Sequence, residues 1–371
     1  MAMVVKNNMS AVNTLNILNK NQSALAKSLQ KVSSGMKINS AGDDASGYAI
    51  SERMRVQIRS LDQDNQNTQN GNSMMRTAEG AVSSTVEILK TLKEKAINAA
   101  NDTNTDEDRR TIQKEINQMV DQIDDNALAT YNGKYLVDGS RNAKGTATCT
   151  TLTNTSLSTA AAWGSGLTSL QSRTNESLNI QSTDNITVSY VRQGKTYTTT
   201  FQVGSTNALS DILSKTAYNG SEGIKGSTLM GTTSNKALVG FDKAGNSVFT
   251  ADNQTALSIE AGGRGTTYQI SSFTISITDN TGAVRKTANT SLDAFGERIR
   301  AENESEDNAL VLQTGVKANQ AIKVSMTDMR SLALGLKGTD GSVLSVQTQD
   351  KANAAINTLD TALQKALDEQ A

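Results

Sequence analysis

Apolar positions along the first third of the chain recur with a helical rhythm. Leu18, Leu25, Leu29, Val32 and Met36 are separated by seven, four, three and four residues. That is the seam of a helix packing on other helices. Val5, Met9 and Val12 extend the spacing towards the N-terminus, and Leu15 then slips by one. A second helix is predicted over 45–98, with a seam through Ile50, Met54, Ile58, Leu61, Asn65, Thr68, Asn72, Met75, Val82, Val86 and Leu89. A helix of that length runs roughly 75 Å, which suits a bundle or coiled coil better than an average globule. Asn65, Thr68 and Asn72 interrupt its seam. Either they fix register and partner number, or the seam is displaced and they face water.

A third helix starts near Thr105, which can cap it, while Asp106, Glu107 and Asp108 occupy its positive end. Those acids read as a solvated helix start rather than a metal site. The apolar face is Ile112, Ile116, Met119 and Ile123, then Leu128. Asn132-Gly133, between strand-favouring residues, predicts a tight hairpin over 131–137, because both turn positions want positive φ.

From about 140 to 303 the texture changes to Thr, Ser, Gly and Asn. Strict alternation at 186–190 and 197–203, joined near Gln193-Gly194, and again at 273–277, predicts antiparallel strands with polar outer faces. Beyond 304, Leu310–Gln313 and the run from Ala321 form a predicted strand pair. A last helix begins near Thr348 and carries Ala352, Ile356, Leu359, Leu363 and Leu367 on one face. The fold class is therefore α+β and multidomain. The two chain ends form a long antiparallel helical bundle, and a β-rich region is inserted between them. The expected divisions are 1–42, 43–140, 141–303 and 304–371.

Composition sharpens this picture. Aromatics are 4% and hydrophobic residues 36% of 371 residues, which suits an elongated, thin-cored molecule. Proline is absent, as long uninterrupted helices allow. Histidine is absent too, which removes the commonest general base and metal ligand. A lone cysteine, Cys149, makes no internal disulfide and lacks an activating base. No catalytic residue, metal site or cofactor is expected. A net charge of -1 gives no pull towards nucleic acid or an acidic membrane. The N-terminus lacks the apolar run of a cleaved signal peptide, and no stretch is apolar enough to span a bilayer.

Three stretches resemble bacterial flagellins. Residues 29–51 (LQKVSSGMKINSAGDDASGYAIS) are similar to the family's LSSGxxINSAxDDAxGxAIS. Tyr131-Asn132-Gly133-Lys134, followed by Asp138-Gly139-Ser140, is similar to its FNGxxLLDGS. Residues 313–320, with Asp328-Met329-Arg330 and Ala333-Leu334-Gly335, supply the third match. The likeness covers roughly 1–140 and 305–371. Its physical content includes a spoke turn at Asn39, Gly42, Asp43 and Asp44, which breaks one helix and caps the next.

The resemblance implies a structural subunit whose helical ends build the inner layers of an extracellular flagellar filament, with the variable β middle outside. Its implied partners are other copies of itself, the flagellar type III export apparatus, an export chaperone and the filament cap. Export without a cleaved signal, and an oxidising exterior, suit the scarcity of cysteine. Family chains continue past the equivalent of Ala371 to complete the last helix and add another. The seam from Val5 to Met36 is therefore expected to lack that mate here.

In flagellins detected by the flagellin-sensing Toll-like receptor, the second helix presents an Arg and a Leu and the third a Glu. The corresponding residues are Thr91, Lys95 and Glu115. Only the last matches, so recognition by this host innate receptor is expected to be weak. A hook–filament junction protein, with similar helical ends, is the alternative reading; residues 42–47 favour flagellin. An adhesin or enzyme with a catalytic middle region finds no support. The Thr/Ser-rich middle is compatible with O-glycosylation and equally with bare loops.

Overall fold

The computed structural model describes residues 8–215, 224–229, 237–250 and 255–371. They belong to two compact units. One comprises Met1–Gly71 with Leu312–Ile322; the other comprises Asn72–Val311 with Lys323–Ala371. Val5 lies outside the described residues.

In the first unit, α1 (Met9–Ser34) starts at Asn8, whose side chain accepts from the Ala11 N–H, and stops at Gly35 with φ 65°. A positive φ there is easy for glycine and costly for other residues. The spoke follows. The Asp43 carboxylate accepts from the Asn39 N–H at 3.2 Å and lies 3.6 Å from Lys31 Nζ. The Asn39 N–H, then Lys31, hold that carboxyl below its usual range. Asp44 accepts from the N–H groups of Ser46 and Gly47, both at 3.0 Å, and so caps α2 (Ala45–Ala100). A β-carbon on Gly47 would stand 2.5 Å from the Asp44 carboxylate, which explains glycine at this cap.

The packing face of α2 differs from the expected seam by one residue. Asn65, Thr68 and Asn72 are exposed, whereas Asp64 and Gly71 are buried and Asn67 half-buried. The strand partner decides this. Asn67 donates to the Gln313 carbonyl, and Gly71 lets the Leu312 side chain approach where a β-carbon would sit 2.7 Å from it. The two-stranded sheet of β12 (Leu310–Gln313) and β13 (Ala321–Val324) carries both contacts. Further along α2, in the second unit, the same slip buries Met74 and leaves Met75 38% exposed. Ala78, Val82, Thr85, Leu89, Leu92, Ala96 and Ala99 then alternate steps of four and three, all buried, with Val86 beside them.

Helix α3 (Asp106–Ala127) begins with a capping box: Thr105 and Asp108 exchange side-chain and backbone hydrogen bonds. Its buried face is Arg109, Gln113, Ile116, Val120, Ile123 and Ala127. The expected Ile112 and Met119 are half-buried, and Leu128 is 53% exposed. Polar anchors rotate the helix to this face. Arg109 Nε donates to the Ala99 carbonyl at 3.0 Å. Gln113 donates to the Leu344 carbonyl at 2.9 Å and accepts from the Val346 N–H at 2.7 Å. Asp124 accepts from the N–H and hydroxyl of Ser331, both at 2.8 Å. The hairpin of β1 (Thr130–Tyr131) and β2 (Lys134–Tyr135) turns on Asn132 and Gly133, with φ of 49° and 74°.

Two antiparallel sheets follow. One has the order β10–β4–β5, with β4 Asn185–Arg192, β5 Lys195–Gln202 and β10 Ile270–Thr278. The other has the order β11–β3–β9–β6, with β3 Thr151–Asn154, β6 Lys225–Leu229, β9 Ala256–Glu260 and β11 Gly296–Ile299. Their shared core contains Leu152, Trp163, Tyr190, Ile259, Phe273 and Ile275. Short helices α4 (Leu209–Ser214) and α5 (Lys286–Leu292) cover it, and β7 (Leu238–Phe241) pairs with β8 (Ser247–Phe249) as a separate ribbon.

The last helix, α6 (Gln349–Gln370), is capped by Thr348. It buries Ala352, Ala354, Ala355, Thr358, Leu359, Ala362, Lys365 and Ala366. Ile356 and Leu363, expected in the core, are half-buried, and Leu367 is 42% exposed. Small residues win because α6 lies directly on a sheet. Ser272 of β10 donates to the Ala354 carbonyl at 3.0 Å, and the Thr358 and Ser272 hydroxyls are 3.0 Å apart.

At the end of α5, burial pushes the Asp293 carboxyl up to about 6, against the opposing Ile275 N–H that it accepts at 3.1 Å. Its folded-state value lies above the unfolded one, so its contribution to stability is full at low pH and is lost as pH rises through about 6. Asp293→Asn keeps the acceptor and removes the buried charge. It is expected to stabilise the fold by about 1–2 kcal/mol at pH 7.5, after discounting for solvent, and by nothing below pH ~4. Urea melts of both proteins at pH 4 and 7.5 measure this; equal differences at the two pH values would refute it.

Candidate assembly surface

The described residues contain no group of three or more acidic or cysteine side chains able to hold a metal ion. No described helix is long and apolar enough to cross a membrane. Cys149 is half-buried; burial and the nearby Glu260 push its thiol up, away from the reactive thiolate.

What the first unit does present is apolar surface. None of the residues of α1 is buried. Leu18, Leu25 and Leu29 are about 60% exposed and Val32 is 80% exposed, with Met9, Val12 and Met36 also open. The expected bundle residues Ile50, Met54 and Leu61 of α2, together with Ile58, are exposed to a similar extent. On a single chain they belong to no core. Burying a Leu or Ile side chain is worth about 1.5–3 kcal/mol, so a contiguous stripe of them is unusual on an isolated protein. A 26-residue helix that buries nothing also lacks the packing that normally supports helices in proteins.

The spoke turn stands at the end of this stripe. Asn39 ties back to α1 by donating to the Gln30 carbonyl at 3.3 Å, and Asp43 is held near Lys31 at 3.6 Å. Gly42 is exposed. These contacts set the angle at which the chain leaves α1 and enters α2. Arg55 reinforces it by donating to the Met36 sulfur at 2.9 Å.

Elsewhere the expected residues divide. Val86, Leu89, Ile116, Ile123 and Leu359 are buried within the second unit. Lys95 and Glu115 are brought together, with Nζ and Oε2 2.6 Å apart across α2 and α3, while Thr91 donates to the Glu87 carbonyl of its own helix. Sequence reasoning overlooked Gln113, Asp124 and Arg109, which clamp α3 in place. A buried glutamine on a helix face gives no periodic signal, because its partners come from a segment more than 200 residues away.

The profile described as "Bacterial flagellin N-terminal helical region" matches residues 5–142, which include α1, the spoke, α2, α3 and the hairpin. A flagellin of Clostridium tyrobutyricum is 29% identical over 98% of this chain and 81% of its own length. A flagellin of Bacillus subtilis is 46% identical over 37% of this chain, a match spanning 46% of that protein. The solved structure of FliC from Burkholderia pseudomallei is similar over 80% of this chain and 95% of that one. Its 18% identity and TM-score of 0.27 make a superposition too loose to bear on the fold. Residues 5–142 thus match the N-terminal helical region of bacterial flagellins, and a likeness to a flagellin runs along nearly the whole sequence.

Proposed function

We propose that this chain is a structural subunit that packs with copies of itself into the extracellular filament of a bacterial flagellum, a role without catalysis. The observation that carries the proposal is α1, a 26-residue helix with an apolar stripe and no buried residue. Such a surface is satisfied by neighbouring copies, and head-to-tail contacts of this kind propagate as an open helical array. Residues 1–42 would occupy the innermost layer, 43–140 with 304–371 the layer around it, and 141–303 the outer surface. Delivery through the export apparatus with a chaperone, and addition beneath a filament cap, follow from the same reading.

The test is assembly. Purified chain brought to high ammonium sulfate with sheared filament seeds is expected to pellet at high speed as filaments visible by negative-stain electron microscopy. A chain that stays monomeric under all these conditions would count against the proposal.

A host innate receptor that reads the α2–α3 surface is a further proposed partner, and a poor one. Lys95 occupies Glu115 in an ion pair at 2.6 Å, so the glutamate is not free to meet an incoming cation. Weak signalling is expected in a flagellin-receptor reporter cell line, and Lys95→Leu with Thr91→Arg should raise it at least tenfold, about 1.4 kcal/mol. Nanomolar potency of the unmodified chain would sink this expectation.

A further inference from the structure

Sheet β10–β4–β5 has two unlike faces. One sends Ile186, Val188, Tyr190, Phe273, Ile275 and Ile277 into the core. The other is made of hydroxyls. Thr274 and Ser276 on β10 pair in register with Ser189 and Thr187 on β4, and these with Thr198 and Thr200 on β5. The hydroxyls of Thr187 and Thr200, and those of Ser189 and Thr198, are each 3.0 Å apart. A face of this composition gains little from burial, yet α6 lies along it through its small residues.

The contact leaves two clefts, of about 290 and 470 Å³, and both are lined by Asp293 and Asn357. The smaller runs between the hydroxyl face and the first turns of α6, and the larger continues towards Phe295 and Gln364.

The polar groups along these clefts are underused. The side chains of Asp350, Asn353, Asn357 and Gln364 make no hydrogen bond among the described residues, although all four line the clefts. Asp293 spends one oxygen on the Ile275 N–H. No lysine or arginine lines the smaller cleft. In the larger one Arg300 is held between Glu297 at 3.2 Å and Asp368 at 2.7 Å.

A phosphate or carboxylate ligand therefore meets no free cation. What the walls offer is hydroxyls and carboxamides, each both donor and acceptor, carboxylates as acceptors, and two aromatic side chains, Phe273 and Phe295, in the larger cleft. The complement is an uncharged molecule dense in O–H groups with an apolar C–H face. We infer that the cleft between α6 and the hydroxyl face of β4 and β10 binds a neutral saccharide.

The full chain with cellohexaose or maltohexaose, followed by saturation-transfer-difference NMR, tests this. Transfer to the sugar ring protons is expected at millimolar ligand. Asn353→Ala and Asn357→Ala should each weaken binding about fivefold, the loss of one hydrogen bond. Neither side chain is fully buried or hydrogen-bonded and alanine favours a helix, so the melting temperature should not fall. Three outcomes would overturn the inference. Neither sugar shows transfer, or transfer is unchanged in the Asn353→Ala, Asn357→Ala double variant. In the third, calcium chloride alone perturbs the α6 amide resonances while the sugars do nothing, which would make the cleft a cation site.

Discussion

Replacing Leu25 and Leu29 together by aspartate is expected to abolish self-assembly while leaving the folded single chain intact. The two leucines are 60% and 59% exposed and belong to a helix that buries nothing, so the isolated molecule has no packing there to lose. In an assembly both would be covered. Their loss removes about 3–6 kcal/mol of apolar burial per subunit, and each added carboxylate must be desolvated against apolar neighbours. The effect recurs at every subunit interface, so the pelleted fraction should fall to background.

Sedimentation of the wild type and the variant, side by side with far-ultraviolet circular dichroism and a thermal melt, gives the answer. Helical signal should rise when the wild type assembles, since α1 gains its packing only then. Assembly of the double variant at wild-type level would mean that the α1 stripe is not the contact surface.

The second large effect concerns Asp184, at the entry to β4. Its carboxylate is fully buried and accepts from Arg285 Nε at 2.5 Å and from a terminal guanidinium nitrogen at 2.8 Å. It also accepts from the Gln181 N–H at 2.8 Å. Arg285 in turn stands at the N-terminal end of α5. This one side chain therefore joins the loop before β4 to the helix covering the sheet.

Asp184→Ala leaves a guanidinium and a backbone N–H without partners in a site that water enters poorly. Breaking a buried pair in this way costs about 3–5 kcal/mol, and the partial exposure of Arg285 places the expectation near 3. Equilibrium urea unfolding, followed by the fluorescence of Trp163 in the same core, reads it directly. Asp184→Asn, which keeps one acceptor, should lose about half as much. A loss below about 1 kcal/mol for the alanine variant would show the pair to be solvated. Assembly through α1 should be indifferent to either change, which separates the two predictions.

Much of the helical and strand content was legible from period alone. Steps of three and four located α1, α2, α3 and α6, and strict alternation located β4, β5 and β10. Local chemistry marked the joints as well. Thr105 and Thr348 both cap helices, and Asn132-Gly133 and Gln193-Gly194 both turn with positive φ, since these depend on residues only a few positions apart.

The faces were less legible. The α2 seam was expected through Asn65, Thr68, Asn72 and Met75, and the chain packs through Asp64, Asn67, Gly71 and Met74 instead. Apolar residues there are too few to define a stripe by themselves. The choice falls to Leu312 and Gln313, some 240 residues away in sequence, which need a glycine and an amide beneath them.

The same division runs through the rest of the molecule. Sequence alone determined that the chain has long helices at its ends, hydroxyl-rich strands between them, no histidine chemistry and an apolar stripe from Met9 to Met36. Each of these is a property of residue type and spacing. Tertiary structure decided which of those apolar residues are inside. It left Ile50, Met54 and Leu61 in the open, and buried the small residues of α6, with Ser272 of the hydroxyl-bearing sheet against Ala354 and Thr358, where Ile356 and Leu363 were expected. Period records which residues share a side of a helix. What that side meets, and how closely, depends on segments hundreds of residues apart, and no local pattern encodes that distance.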